Sequence, residues 1–321
     1  MINNQQGTNL RVLIVGCTPL AKKVISLIER TTTLVGVVNL HPDIGLKKAN
    51  YDFLSEFSIR RPRDIHFTRD INDKKTLAWI DGRKPDVIIQ CRWSQIFKSV
   101  LLRLPRYFCI GVHPAPLPKG RGAAVINWKM IEGGNEWGNS LFIMEKKIDT
   151  GDILDFEPFF IESRDDVQTV YFKADRTVLK MLQRTLPKIK NGTFIRFTQD
   201  EKKATRYHKR KQQDGLMDIR WNSEKILCYI KALIYPYSGA FFQTVYGQLI
   251  IWRGEIGEKE KHAVPGTILE VKPGFGLRLK TGAHGSIWIT LVTPSDDVEC
   301  WADEWALERK IKKGKDLVNF F

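Results

Sequence analysis

Two apolar runs near the amino terminus restrict the fold more than any other feature of the chain. Leu10-Arg11-Val12-Leu13-Ile14-Val15-Gly16 and Leu34-Val35-Gly36-Val37-Val38-Asn39-Leu40 are nearly continuous in apolar character, with no alternation of apolar and polar residues. A strand written this way has both faces buried, as in a parallel sheet covered by helices above and below. Between the runs, Cys17-Thr18-Pro19 turns into a segment that carries Leu20, Val24, Leu27 and Ile28 at helical spacing. The strand–helix–strand unit predicts an open α/β sheet. It lacks a full GxGxxG, so a nicotinamide cofactor is not indicated. Asp86-Val87-Ile88-Ile89-Gln90-Cys91 and Phe108-Cys109-Ile110-Gly111-Val112-His113 repeat the buried-strand pattern. Ligands of such sheets bind beyond the carboxyl ends of the strands, which here are Gly16, Cys91 and His113.

The rest of the chain supports two domains, for which 321 residues suffice. Residues 123–132 read as a helix stopped by Gly133-Gly134. Residues 139–145 and 153–161 read as strands, and Asp165-Asp166 opens a long amphipathic helix to about Leu186. From Asn191 to Arg220 the composition turns polar and basic, as in a linker. A helix then starts near Trp221, capped by Asn222 or Ser223. Short strands follow at 240–246, 249–255, 267–271, 276–280 and 286–291, separated by turn residues, which suggests a small OB-like barrel. The expected division is 1–205 for the α/β domain and 206–321 for linker plus barrel.

The formal charge of +15 implies attraction to an anion, whether nucleic acid, a membrane surface or a phosphorylated small molecule, or else solubility alone. No apolar run reaches the roughly 20 residues of a membrane span, and Met1 to Asn9 is polar, so a cytoplasmic protein is expected. Cys17, Cys91, Cys109, Cys228 and Cys300 are scattered and odd in number, which fits reduced thiols and no metal site.

The chemistry centres on His113, which ends a buried strand and begins the Pro/Gly-rich loop His113-Pro114-Ala115-Pro116-Leu117-Pro118-Lys119-Gly120-Arg121-Gly122. A second turn on the same domain, Ile148-Asp149-Thr150-Gly151-Asp152, supplies a carboxylate. An imidazole suits proton transfer from an amine at neutral pH, and a nearby carboxylate stabilises the imidazolium.

These two loops resemble those of the folate-dependent formyltransferases. Ala204-Thr205-Arg206-Tyr207, Asp214-Gly215 with Asp218-Ile219-Arg220-Trp221, the segment 231–240 and Val264-Pro265-Gly266-Thr267-Ile268-Leu269 extend the resemblance over nearly the whole chain. It implies a Rossmann-like formyltransferase domain followed by an OB-like domain, and an enzyme that uses formyl-tetrahydrofolate as co-substrate with no metal. His113 and Asp149 match the family's catalytic pair. The folate positions correspond to Gln90, Arg92, Trp93, Ser94 and Ile96 on one side and Glu145 and Ile148 on the other, with ordinary packing as the alternative for Trp93. The family's Asn-x-His triplet is here Gly111-Val112-His113. Either another donor takes the place of the missing one (the imidazolium, a backbone N–H, Asn127 or Ser94) or the activity is weak or lost, and if the site keeps the family's geometry an asparagine at 111 is expected to be tolerated or activating.

The resemblance leaves the acceptor open. The segment 41–50 lacks the basic insertion of the enzyme acting on methionyl-tRNA, and the loop wording is closer to the sugar-nucleotide branch, whose products serve lipopolysaccharide biosynthesis. A nucleotide-linked amino sugar is therefore the favoured substrate. Lys119 and Arg121 are candidates for its phosphates, with loop bracing as the alternative, and Tyr207 and Arg210 are linker candidates. The high positive charge favours tRNA instead. A non-catalytic homologue that only binds folate or nucleotide is the third reading.

Overall fold

Strand β1 (Arg11–Gly16) sends alternate side chains to opposite faces, and both faces are dry. Val12 and Ile14 join a core cluster with Leu20, Val24 and Ile28 of α1 (Pro19–Thr31), whereas Leu13 and Val15 join a second cluster on the other side of the sheet. That arrangement is the three-layer α/β sandwich expected of two-sided apolar strands. The computed structural model describes residues 9–318; Met1 to Thr8, expected to be a polar start without a leader, lie outside the described residues.

The chain forms two units. The first takes the residues up to Val125 together with Glu136–Phe160 and Phe172–Tyr207. After β2 (Thr33–Leu40) come the short helices α2 (Pro42–Gly45) and α3 (Ser55–Arg60), then β3 (Ile65–Thr68), α4 (Lys74–Gly82), β4 (Val87–Cys91), α5 (Ser99–Leu102) and β5 (Phe108–His113). β6 (Arg121–Gly122) follows, and α6 (Val125–Ile131) counts almost wholly with the second unit. β7 (Glu136–Ile143), β8 (Ile153–Phe160), most of α7 (Val167–Lys190) and β9 (Arg206–Tyr207) complete the first. The sheet order is β3-β2-β1-β4-β5-β7-β8. β1 to β5 run parallel, and β7 and β8 are antiparallel additions at one edge. This is the Rossmann-like open sheet inferred from the sequence. Helix α6 starts later than the sequence pattern suggests because Ala124 has a positive φ of 54°.

In the second unit, α8 (Ser223–Leu233) is capped by Asn222, whose side chain accepts from the Lys225 N–H at 2.9 Å. β10 (Ala240–Thr244), β11 (Gly247–Ile256), β12 (Ile268–Lys272), β13 (Gly276–Lys280) and β14 (Ser286–Pro294) form an antiparallel sheet in the order β10-β11-β14-β13-β12. β15 (Cys300–Trp301) adds to β14, and α9 (Ala302–Glu308) buries Trp305. The segment after α9 links the two edges. Leu317 accepts from the Val245 N–H, while Lys315 accepts from the Ile268 N–H. The sheet is thereby closed into the small OB-like barrel.

Candidate functional site

His113 is carried to the carboxyl edge of the parallel sheet by β5 and faces the same side of that sheet as Cys109 and Gly111. It is 6% exposed. Its Nε2 lies 2.7 Å from the Gly120 carbonyl oxygen, and its Nδ1 lies 3.8 Å from Oδ1 of Asp149. The first is a hydrogen bond when Nε2 carries the proton; the second is a charge contact. A ring protonated at both nitrogens thus faces an acceptor on each side.

Asp149 sits on the β7–β8 turn with φ 63°, a left-handed conformation that Asp and Asn adopt more readily than other side-chain-bearing residues. Three contacts hold it there. Its Oδ2 accepts from the Gly122 N–H at 2.8 Å, its carbonyl accepts from Gln199 Nε2 at 3.0 Å, and the same amide donates to the Gly151 carbonyl at 2.7 Å. The turn demands glycine at 151, because a Cβ there would run into the Ile143 backbone carbonyl. Asp152 accepts the Ile143 side of this turn through its own backbone, its carbonyl taking the Ile143 N–H at 2.9 Å. Among the anticipated residues, the structure therefore brings His113 and Asp149 together.

The anticipated folate positions divide into side chains that build the loop and side chains that face outward. Gln90 donates through Nε2 to the Trp93 carbonyl at 2.8 Å. Trp93 is 6% exposed and belongs to the apolar core with Phe97 and Leu101. Arg92 has φ 54°, and its Nη2 lies 2.6 Å from the buried Asp175. Ser94 accepts from Lys48 Nζ at 3.1 Å. Ile96 and Ile148, in contrast, are 59% and 45% exposed and offer apolar surface on the two loops, with Glu145 exposed beside the second.

Arg121 is 4% exposed, and its guanidinium donates to Gln199 Oε1 and to both carboxylate oxygens of Glu201. Sequence reading alone does not distinguish such a brace from a phosphate ligand. Lys119 is exposed on the same loop, and Tyr207 pairs with Gly122 in the short β6·β9 ladder. Arg210 lies in the second unit over the Trp128 ring, where burial lowers its pKa. Gln199 is the residue that sequence reasoning missed. Nothing in a polar linker marks a side chain whose partners are three distant backbone and guanidinium groups.

Gly111 lies opposite Phe142 in the β5·β7 ladder. An ideal Cβ on Gly111 would fall inside 3.0 Å of two atoms of the Phe142 ring and 3.1 Å from Met144 Cγ. The expectation that asparagine is tolerated at 111 is therefore corrected: the ring occupies that volume. Of the two side chains considered as replacement donors, Asn127 spends its amide on the Ala232 carbonyl at 2.7 Å within the second unit, and Ser94 is exposed on the β4–α5 loop. Among the described residues no group of His, Cys, Asp and Glu could hold a metal ion, and no helix is long and apolar enough to cross a membrane. Burial raises the Cys17 thiol to about 11 and pushes Cys91 and Cys109 up as well. A cavity of about 560 Å³ in the second unit, lined among others by Tyr235, Trp252, Lys231 and Glu299, contains none of these site residues.

Comparison with known proteins adds the following. The family profile described as Formyl transferase matches residues 9–186, and that described as Formyl transferase, C-terminal domain, matches 209–310. The bifunctional polymyxin resistance protein ArnA of Wigglesworthia glossinidia brevipalpis is 29% identical over 77% of this chain, which spans only 38% of that relative's length. Methionyl-tRNA formyltransferase of Bacillus subtilis is 30% identical over 96% of this chain and 94% of its own. Among solved structures, HypX from Aquifex aeolicus matches 96% of this chain and 49% of its own with a TM-score of 0.68 at 17% identity. WlaRD, described as a sugar 3N-formyl transferase, matches 91% of this chain and 100% of its own with a TM-score of 0.65 at 16% identity. These two likenesses concern the fold.

Proposed function

Since the chain belongs to the formyl transferase family in both of its regions, we propose that it transfers a formyl group from formyl-tetrahydrofolate to the primary amine of a nucleotide-linked amino sugar. The observation that carries the reading is the buried His113 with its Nδ1 facing Asp149 and its Nε2 facing a carbonyl. The attacking amine forms a C–N bond to the formyl carbon and sheds a proton, which the imidazole takes. Asp149 and the Gly120 carbonyl stabilise the imidazolium from its two nitrogens. The same proton passes to the departing folate nitrogen as the old C–N bond breaks, so the protein ends in its starting state. Gly111 has no side-chain donor, which leaves the developing oxyanion to backbone N–H groups and to the positive charge of the imidazolium, whose two N–H groups are already directed at Asp149 and the Gly120 carbonyl.

The folate fits the outward-facing surfaces. Ile96 and Ile148 present apolar area to a flat ring, on two irregular loops whose backbone supplies hydrogen-bonding groups. Lys119 and Tyr207, next to the catalytic loop, are the proposed contacts to the acceptor; Arg121 acts there as the brace of that loop. The sugar-nucleotide acceptor is supported by the connection between β2 and α3, where α2 and a turn replace a basic insertion and Lys48 is directed at Ser94. A second reading, methionyl-tRNA as acceptor, is favoured by the nearly end-to-end match to the Bacillus subtilis enzyme.

The test offers formyl-tetrahydrofolate with amino-sugar nucleotides and, separately, with initiator methionyl-tRNA, and follows N-formyl product by mass spectrometry. Product from a sugar nucleotide, lost in His113→Ala with the fold intact, is the expected result. Product from the tRNA alone replaces the first reading with the second. Folate binding with no product from either leaves a homologue that binds without turnover.

A further inference from the structure

Gln199 is 6% exposed and stands 50 residues along the chain from Asp149, whose carbonyl it binds. Its two ends do different work. Nε2 donates to the carbonyls of Asp149 and Gly151 at 3.0 and 2.7 Å, and Oε1 accepts from Nε and Nη2 of Arg121 at 3.2 and 2.8 Å. The orientation of the amide is therefore set by chemistry, since a guanidinium only donates and a carbonyl only accepts. Arg121 is followed directly by Gly122, whose N–H holds Asp149 Oδ2. One amide is thus bonded to both peptide segments that place the carboxylate, and the short β6·β9 ladder anchors the same loop through Arg121 and Arg206.

We propose that Gln199 is a positioning residue for the reaction. By fixing the 149–151 turn against the Arg121–Gly122 strand, it holds the Asp149 carboxylate facing His113. This inference rests on the formyl-transfer reading for its kinetic test, but not for its spectroscopic one. Only an amide satisfies both sides. A carboxylate in its place keeps the acceptor toward Arg121 and sets oxygen against the two carbonyls of the turn. A glutamate variant accordingly separates the two functions, because the guanidinium stays paired while the turn loses its donor.

Gln199→Glu, Gln199→Met and, as control, Glu201→Gln would be compared. Glu201 is the other partner of Arg121, its carboxylate accepting from Nη1 and Nη2 at 2.9 and 2.6 Å. Its substitution therefore perturbs the guanidinium and leaves the amide on the turn in place. Steady-state kinetics on whichever acceptor the wild type formylates should show kcat lower by about 10- to 100-fold in Gln199→Glu, in line with outer partners of catalytic groups. KM for both substrates should stay within about threefold, and Glu201→Gln should keep kcat. Independently of turnover, the ¹⁵N resonances of the His113 imidazole, which report the facing carboxylate, should move in Gln199→Met and stay in Glu201→Gln. Wild-type kcat in Gln199→Glu, an equal kcat loss in Glu201→Gln, or unmoved His113 resonances in Gln199→Met would overturn the proposal. A wild type that forms no product would count against formyl transfer, and the His113 resonances would still decide the role of Gln199.

Discussion

Replacing Gly111 by alanine adds a single methyl group at a crowded point of the β5·β7 ladder. The new Cβ would lie inside 3.0 Å of two ring atoms of Phe142, a separation that real Cβ atoms essentially never show, and 3.1 Å from Met144 Cγ. Phe142 is 5% exposed, so its ring has no solvent to swing into, and the strain must be taken up by the ring and the two strands. Overpacking of this kind costs about 1–3 kcal/mol. At roughly 2–4 °C per kcal/mol for a domain of this size, Tm should fall by about 2–12 °C. Urea denaturation is the assay, with an unchanged m-value confirming that the native state and not the unfolded chain is affected. Phe142→Leu in the Gly111→Ala background should recover part of the loss, giving a coupling of about 0.5–3 kcal/mol between the two sites. A Gly111→Ala protein within about 0.5 kcal/mol of wild type, or a strictly additive double variant, would refute the reasoning. The same clash makes Gly111→Asn destabilising, whatever donor it would add.

Asp149→Asn should lower kcat by at least about 100-fold while acceptor KM changes little; wild-type rates would move the acid role elsewhere, Asp152 being the nearest candidate in sequence. Gly151→Ala drives a Cβ into the Ile143 backbone carbonyl, which cannot yield as a flexible side chain can. Calorimetry should show a loss of about 1–3 kcal/mol together with a fall in kcat, and an unchanged thermogram would contradict the turn geometry. Asp73 gives a pH test. Burial pushes its carboxyl up, but hydrogen bonds from Thr76 and Thr68 outweigh that and bring it to about 2. A folded value below the unfolded one stabilises above about pH 4, and the contribution is lost as pH falls through about 2. Asp73→Ala should therefore cost about 1 kcal/mol at pH 7, as for a lost helix cap, and progressively less toward pH 2, measured by denaturation across that range.

The parallel strands were legible because burial on both faces leaves nothing polar to interrupt them: Val12 to Val15, Val87 to Ile89 and Cys109 to Val112 are all buried. Ile65–Thr68 escaped notice because an edge strand of four residues, three of them only half-buried, has no such run. The proposed pair carries a different signal, since loop composition and strand ends point to His113 and the Gly-containing turn to Asp149, and the fold brings the two side chains within 3.8 Å of each other. What surrounds the pair was not legible. Trp93 is buried in the apolar core and Arg121 is bonded to Gln199 and Glu201, settings that their residue types alone do not reveal. The filling of the space beside Gly111 by Phe142 depends on a strand register that no local pattern records. The closure of the barrel through Lys315 and Leu317 likewise uses backbone groups alone, in a tail whose composition suggests only charge.

The interleaving of the two units bears on how the protein is made. Residues 126–135 and 161–171 belong to the second unit but are synthesised in the midst of the first. Ile126, Met130, Val167 and Val170 are buried in the finished protein, and the Asn127 amide ends on the carbonyl of Ala232. On the ribosome, where domains fold in order of emergence, these side chains leave the exit port long before residues 208–317 exist to complete their unit. The nascent chain should therefore carry these apolar side chains uncovered through much of its elongation, until the remainder of their unit has been made.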